Sequence, residues 1–227
     1  MPCRSLRFKS DILKLLASHR DPESYVAGST PLNPHAPRFS GDIDVSHDRE
    51  ERVLQAAEQD AAFLQGHGYT LQWLRRSPLI YAVLAARGGE TTKLEWVVDS
   101  DFRFFPTVRD EVFGYVLHPV DLATNKVAAA CGRREPRDVV HLLTIHERIL
   151  PLGAVVWASV GKTLGFTPEG VIDEIRRTAR YTEAGFRRVA SDPPINPAAT
   201  MTRLREFSVK LKPLSCACLP KRRGFCS

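Results

Sequence analysis

The run Gly41-Asp42-Ile43-Asp44-Val45-Ser46 leaves this chain few ways to fold. Side chains alternate across an extended strand, so Asp42 and Asp44 project from one face while Ile43 and Val45 turn to the other. One face is apolar and can be buried. The other holds two negative charges a few ångströms apart. Like charges that close repel and raise each other's pKa unless something positive stands between them. A divalent cation meets that need, because Mg²⁺ (or Mn²⁺) takes oxygen ligands and is commonly held by one or two carboxylates together with substrate phosphates. An isolated Asp-x-Asp is more often a solvated strand end, but this pair has company.

Gly28-Ser29 lies a dozen residues upstream, directly after Ser24-Tyr25-Val26-Ala27, which reads as a short strand. Glycine reaches backbone conformations that aim N–H groups outward, and a hydroxyl beside it can donate to a phosphate oxygen. Alone, Gly-Ser is an ordinary turn. Coupled to Asp42 and Asp44 it describes a turn for a phosphate tail and carboxylates for a bridging cation. A third carboxylate completes a two-metal site, and the candidate is Glu95 in Thr92-Lys93-Leu94-Glu95-Trp96-Val97-Val98. Leu94 and Trp96 share one side of that strand, Lys93 and Glu95 the other. An acidic residue inside an apolar strand is costly unless paired or metal-bound. The alternative is an edge strand with Glu95 solvated beside Lys93; Asp99, on the same face, is the reserve ligand.

The rest of the first half alternates helix and strand signals. Ser10 and Asp11 open an amphipathic stretch with Ile12, Leu15 and Leu16 on one side, and Arg49 to Gln65 has helical spacing that stops at Gly66 and Gly68. Strands are expected over Tyr69–Leu74, Leu79–Ala86 and Thr92–Val98, with Arg87-Gly88-Gly89-Glu90 as a hairpin turn. Helices are expected over Pro119–Ala130, carrying Lys126, and Glu135–Leu150. Thr167-Pro168 and Asn196-Pro197 mark two further helix starts. The fold class that follows is α+β, a small mixed β-sheet core with packed helices (residues 1–118) followed by a mainly helical C-terminal lobe (119–212) and a tail (213–227).

At 227 residues, with 43% hydrophobic and 26% charged, the chain has enough apolar material for one sizeable core. No stretch approaches the roughly 18 consecutive apolar residues that a membrane helix needs, and the N-terminus lacks a signal-peptide core, so a cytoplasmic protein with no membrane partner is expected. Cys131 stands alone, while Cys216, Cys218 and Cys226 crowd the tail without a fourth ligand at zinc spacing. His118, His141 and His146 read as surface or capping residues rather than a metal cluster. The net charge of +6 favours a polyanionic partner, nucleotide or nucleic acid, without naming one.

The succession apolar-Gly-Ser, spacer, Asp-x-Asp between apolar residues, and an acidic residue in a later strand resembles the polymerase-beta-type nucleotidyltransferase superfamily. More narrowly, AGST followed by RFSGDIDV resembles the AbiEii-type nucleotidyltransferases, toxins of bacterial abortive-infection and toxin–antitoxin systems. HPVDLATNKVAAACGRREPRDVVHLL is similar to that family's lysine-bearing helix and its following Arg-Asp segment. The resemblance implies a metal-dependent enzyme that moves an NMP from an NTP to an acceptor hydroxyl on tRNA or other RNA, on protein or on a small molecule. It implies Asp42 and Asp44 as metal ligands and Gly28 and Ser29 as phosphate contacts, with Arg38 and Ser40 able to add more. Lys126 would neutralise the triphosphate and Asp138 would orient that lysine or a nearby basic group. A cognate antitoxin is an implied partner. Two departures stand out: Gly28-Ser29 where the family often has Gly-Gly, and His141 where an aspartate is frequent. The alternatives are an antibiotic-type enzyme acting on a small polyol or aminoglycoside, and a non-catalytic member that binds nucleotide or a partner.

Overall fold

The structure is a computed structural model that describes residues 4–32, 41–99, 102–133, 135–162, 165–178, 181–189, 191 and 194–210. The chain divides into two compact units, Met1–Leu122 and Ala123–Ser227. The boundary falls within a helix, Pro119–Arg133.

The first unit is a seven-stranded mixed sheet backed by two helices. Helix α1 (Arg4–Leu16) and a 3-10 turn (Ala17–His19) lead into β1 (Ser24–Val26), β2 (Asp42–His47) and helix α2 (Glu50–Gly66). Strands β3 (Thr70–Ser77), β4 (Ile80–Arg87) and β5 (Glu90–Val98) follow, then the short pair β6 (Val108–Asp110) and β7 (Gly114–Val116). The strand order is β3-β4-β5-β2-β1-β7-β6. β2 runs parallel to β5 and antiparallel to β1, so the aspartate strand is interior and both its edges are hydrogen-bonded. β5 is interior too, flanked by β4 and β2, so Glu95 does not stand on an edge strand.

Alternation along β2 and β5 decides which face is buried. Ile43, Val45, Leu94 and Trp96 are 0–1% exposed and pack with Phe8, Ile12, Leu13 and Leu16 of α1 and Val53, Ala57 and Leu64 of α2. α1 starts earlier than its polar opening suggests, because Phe8 extends the Ile12 and Leu16 stripe by one turn. Inside this core Asp60 of α2 is wholly buried, yet fully engaged. It accepts from both Nη2 contacts of Arg20 (2.7 and 2.5 Å), from Trp96 Nε1 (2.7 Å) and lies 2.7 Å from His19 Nδ1. Arg20, 6% exposed, also donates to Ser24 Oγ at 3.1 Å. One carboxylate therefore ties α2 to β5 and to the chain entering β1, compensating a buried charge that would otherwise be strongly unfavourable.

The second unit is helical among its described residues. It comprises the remainder of α3 (Pro119–Arg133), then α4 (Pro136–Arg148), α5 (Leu152–Lys162), α6 (Pro168–Thr178), α7 (Glu183–Arg187) and α8 (Pro197–Lys210). α6 and α8 begin at the Thr-Pro and Asn-Pro signals: Thr167 Oγ1 accepts from Gly170 N–H (3.1 Å) and Asn196 Oδ1 from Ala199 N–H (3.1 Å). No single described helix is long and apolar enough to cross a membrane.

Candidate functional site

The carboxylates project from the sheet face opposite the one that α1 and α2 cover. The parallel register sets Asp42 opposite Lys93 and Asp44 opposite Glu95, so two aspartates, a glutamate and a lysine share a patch on two adjoining strands. Their neighbours in sequence, Ile43, Val45, Leu94 and Trp96, anchor the other face. The patch therefore inherits the rigidity of the core behind it.

The Gly28 turn is sewn to the start of β2. Ala27 N–H donates to the Asp44 carbonyl at 2.9 Å, and Thr30 Oγ1 donates to the Asp42 carbonyl at 3.3 Å. Across β2, Thr92 Oγ1 donates to the Gly41 carbonyl at 3.3 Å. Gly28 adopts φ +70°, and a Cβ there would sit 1.8 Å from Asp44 Oδ2. Only glycine permits both the left-handed backbone and the approach of the carboxylate to the turn. The turn and the aspartate pair, separate in sequence, form one structural unit. Ser29 is buried within it. Arg38 and Ser40 lie outside the described residues, as do Cys216, Cys218 and Cys226.

Lys93 is the charged group that sequence reasoning used only as a bland neighbour. Its Nζ lies 2.6 Å from Glu95 Oε1, with 36% of the lysine side chain and 18% of the glutamate side chain exposed. The hydrogen bond to Glu95 raises the Lys93 pKa against the opposing effect of burial, and the charges of Glu95, Asp42 and Asp44 add to the rise. The ammonium thus feels all three carboxylates at once. Among the described residues no group of three His, Cys, Asp or Glu side chains is placed to hold a metal ion. Asp42 and Asp44 nonetheless offer the hard oxygen donors that Mg²⁺ takes, adjacent on one face, while Glu95 is engaged by Lys93.

Farther along the same face, the reserve ligand Asp99 accepts from Tyr25 Oη at 3.3 Å. Arg103 lies over the Tyr25 ring and chelates Asp48 at 2.6 and 2.8 Å. Phe102, Phe104 and Phe105 are 38–49% exposed, and their loop is fastened by buried Asp121, which accepts from the Phe104 and Phe105 N–H groups. His118 Nδ1 accepts from Val120 N–H and His146 Nδ1 from Leu152 N–H, both capping roles.

Lys126 and Asp138 belong to the second unit, on α3 and α4. Asp138 is 1% exposed and accepts from Arg133 Nη2 at 2.9 Å and, in a capping box, from Glu135 N–H at 3.2 Å. Burial alone would raise its pKa. His141, whose Nδ1 lies 3.9 Å away, and the hydrogen-bonded Arg133 guanidinium overcome that and hold the carboxyl well below the usual range.

No protein-family model matches the chain, and no curated protein matches it in sequence. Solved structures do. MenT4, a nucleotidyltransferase toxin from Mycobacterium tuberculosis, superposes with a TM-score of 0.65 at 19% identity, covering 96% of this chain and 88% of that one. A putative nucleotidyltransferase from Helicobacter pylori gives 0.55 at 15% identity, covering 92% of this chain and 96% of that chain. JHP933 from Helicobacter pylori gives 0.55 at 14% identity over 94% and 96%. At these identities the likeness speaks to architecture alone: this chain shares its fold with MenT4 and the two Helicobacter pylori proteins.

Proposed function

We propose that this chain is a metal-dependent nucleotidyltransferase that moves a nucleoside monophosphate from an NTP to an acceptor hydroxyl, with pyrophosphate leaving. The observation that carries the reading is the Gly28 turn pressed against the Asp44 carboxylate, with Asp42 and Glu95 on the same sheet face. Nucleotidyl transfer is mostly positioning and charge neutralisation, and a rigid sheet face behind oriented backbone amides suits both. Asp42 and Asp44 would hold a divalent cation, which when bound would neutralise charge on the transferring phosphate. The turn at Gly28 and Ser29 would hold the phosphate tail. The fold shared with MenT4, whose name describes a nucleotidyltransferase toxin, supports the same activity class. Lys126 as the charge that neutralises the triphosphate, and an antitoxin as partner, rest on the sequence resemblance. RNA is the preferred acceptor, since a net charge of +6 suits a polyanion better than a cationic drug.

The test is incubation of the full chain with each radiolabelled NTP, Mg²⁺ and total RNA, lysate protein or an aminoglycoside panel. Label should enter the RNA pool with one preferred NTP, and Asp42→Asn should reduce transfer at least ~100-fold, as expected when a positioned charge is lost. Transfer that survives Asp42→Asn undiminished refutes the assignment; no transfer with any nucleotide favours a binding-only protein.

A further inference from the structure

A two-metal site uses three carboxylates so that one ion can activate the attacking oxygen and a second can stabilise the leaving ones. Here the third carboxylate already has a partner. Glu95 is bonded at 2.6 Å by Lys93, two residues back on the same strand and opposite Asp42 on β2. The Cα atoms of the four residues mark the corners of a rectangle roughly 4.8 Å wide, the spacing between strands, and roughly 6.6 Å long, two residues of strand rise. Asp42 and Lys93 form one short side, Asp44 and Glu95 the other. Three carboxylates and one ammonium carry two net negative charges. One divalent cation neutralises them; a second would meet the ammonium head-on, with Glu95 no longer free to offset it.

The geometry points to a single-cation centre in which Asp42 and Asp44 hold one divalent ion and Lys93, braced by Glu95, occupies the place of the second. Lysine suits that role as a compact point charge with three donors, able to keep one bond to Glu95 and direct the others outward. About a third of the Lys93 side chain is exposed, so the residue is accessible to solvent. Glu95 then acts as a positioning residue for Lys93 rather than as a metal ligand. This inference rests on the metal reading above and refines it by number.

The experiment counts Mn²⁺ ions bound per chain, by electron paramagnetic resonance of the full-length protein titrated with Mn²⁺ alone. Circular dichroism melts confirm that each variant is folded. The expected result is one ion for the wild-type chain, one for Glu95→Gln, none for the Asp42→Asn/Asp44→Asn double variant, and two for Lys93→Met. Should Lys93→Met fail to fold, Lys93→Gln provides the same readout with a polar side chain. Two ions in the wild-type chain, loss of the ion in Glu95→Gln, or a single ion in the lysine variants would each overturn the inference while leaving metal dependence intact. No bound ion in the wild-type chain would overturn the metal reading itself.

Discussion

Replacing Gly28 by alanine separates what the turn contributes to stability from what it contributes to the site. Two costs are expected. The first is conformational: φ is +70° at Gly28, and a residue with a Cβ held there loses about 1–2 kcal/mol. The second is steric, because the new Cβ would lie 1.8 Å from Asp44 Oδ2 and 2.7 Å from its Cγ. The carboxylate must rotate away, at about 0.5–1.5 kcal/mol for a side chain forced from its rotamer. The total is about 1.5–3.5 kcal/mol in urea unfolding. Gly68 provides the control, since it has φ +79° and nothing within 4 Å of its would-be Cβ. Gly68→Ala should therefore lose only the conformational part and leave Mn²⁺ affinity untouched. Gly28→Ala should weaken Mn²⁺ binding at least ~10-fold and lower NTP turnover by ~100-fold, the usual result of an ångström-scale displacement at a reacting centre. A double-mutant cycle with Asp44→Ala isolates the contact: Gly28→Ala should cost less in that background than in the wild type. Equal costs in the two backgrounds, or Mn²⁺ binding by Gly28→Ala at wild-type affinity, would refute the claim that turn and aspartate form one unit.

Two further outcomes follow from the buried network behind the sheet. Asp60→Ala strands the buried guanidinium of Arg20 and the indole N–H of Trp96, so unfolding free energy should fall by about 3–5 kcal/mol in urea titration; a loss under about 1 kcal/mol would show the network to be dispensable. His47 is 0% exposed with neither ring nitrogen hydrogen-bonded among the described residues, and burial, aided by the Arg20 charge, lowers its pKa from 6.5 to about 4. Its unfolded form binds the proton more readily, so stability is complete above about pH 6.5 and declines as pH falls towards 4, by about 3 kcal/mol in all. Chemical denaturation across that range should show a slope that His47→Gln flattens, and an unchanged slope would mean the ring is protonated in the fold.

Much of the first unit was legible because its periodicities were clean. The expected strands over 69–74, 79–86 and 92–98 correspond to β3, β4 and β5, and the helix over 49–65 to α2, each within a few residues. What escaped did so for identifiable reasons. β6 and β7 are three residues each, too short for a period of two to declare itself, and two of the three residues of Val108-Arg109-Asp110 are charged. Leu152–Lys162 forms α5 although it is apolar around most of its circumference, so it presents no polar stripe to mark a helix. In the site, the shared face of Asp42 and Asp44 follows from strand geometry alone. The pairing of Asp44 with Glu95 required a parallel register that no local pattern encodes, and Asp60 looked like one more polar residue on α2 until Arg20 and Trp96 converged on it. Lys93 was visible beside Glu95, but its closeness to β2 was not.

The parallel alignment of β2 with β5 also governs when the site comes into existence. Asp44 and Glu95 are separated along the chain by a whole helix and two strands, and a parallel neighbour cannot be reached through a tight turn. Loop closure over that distance must be achieved before the contact repays it, which makes such pairings slow relative to hairpins. The β3-β4-β5 meander is local and can form on its own terms; its docking on β2 is the non-local event. A nascent chain that has emerged only through α2 holds the Gly28 turn and both aspartates but lacks their lysine and glutamate counterparts. The four-residue patch is thus completed only once β5 has emerged and docked on β2, so a ribosome-bound chain extended only through α2 would lack it.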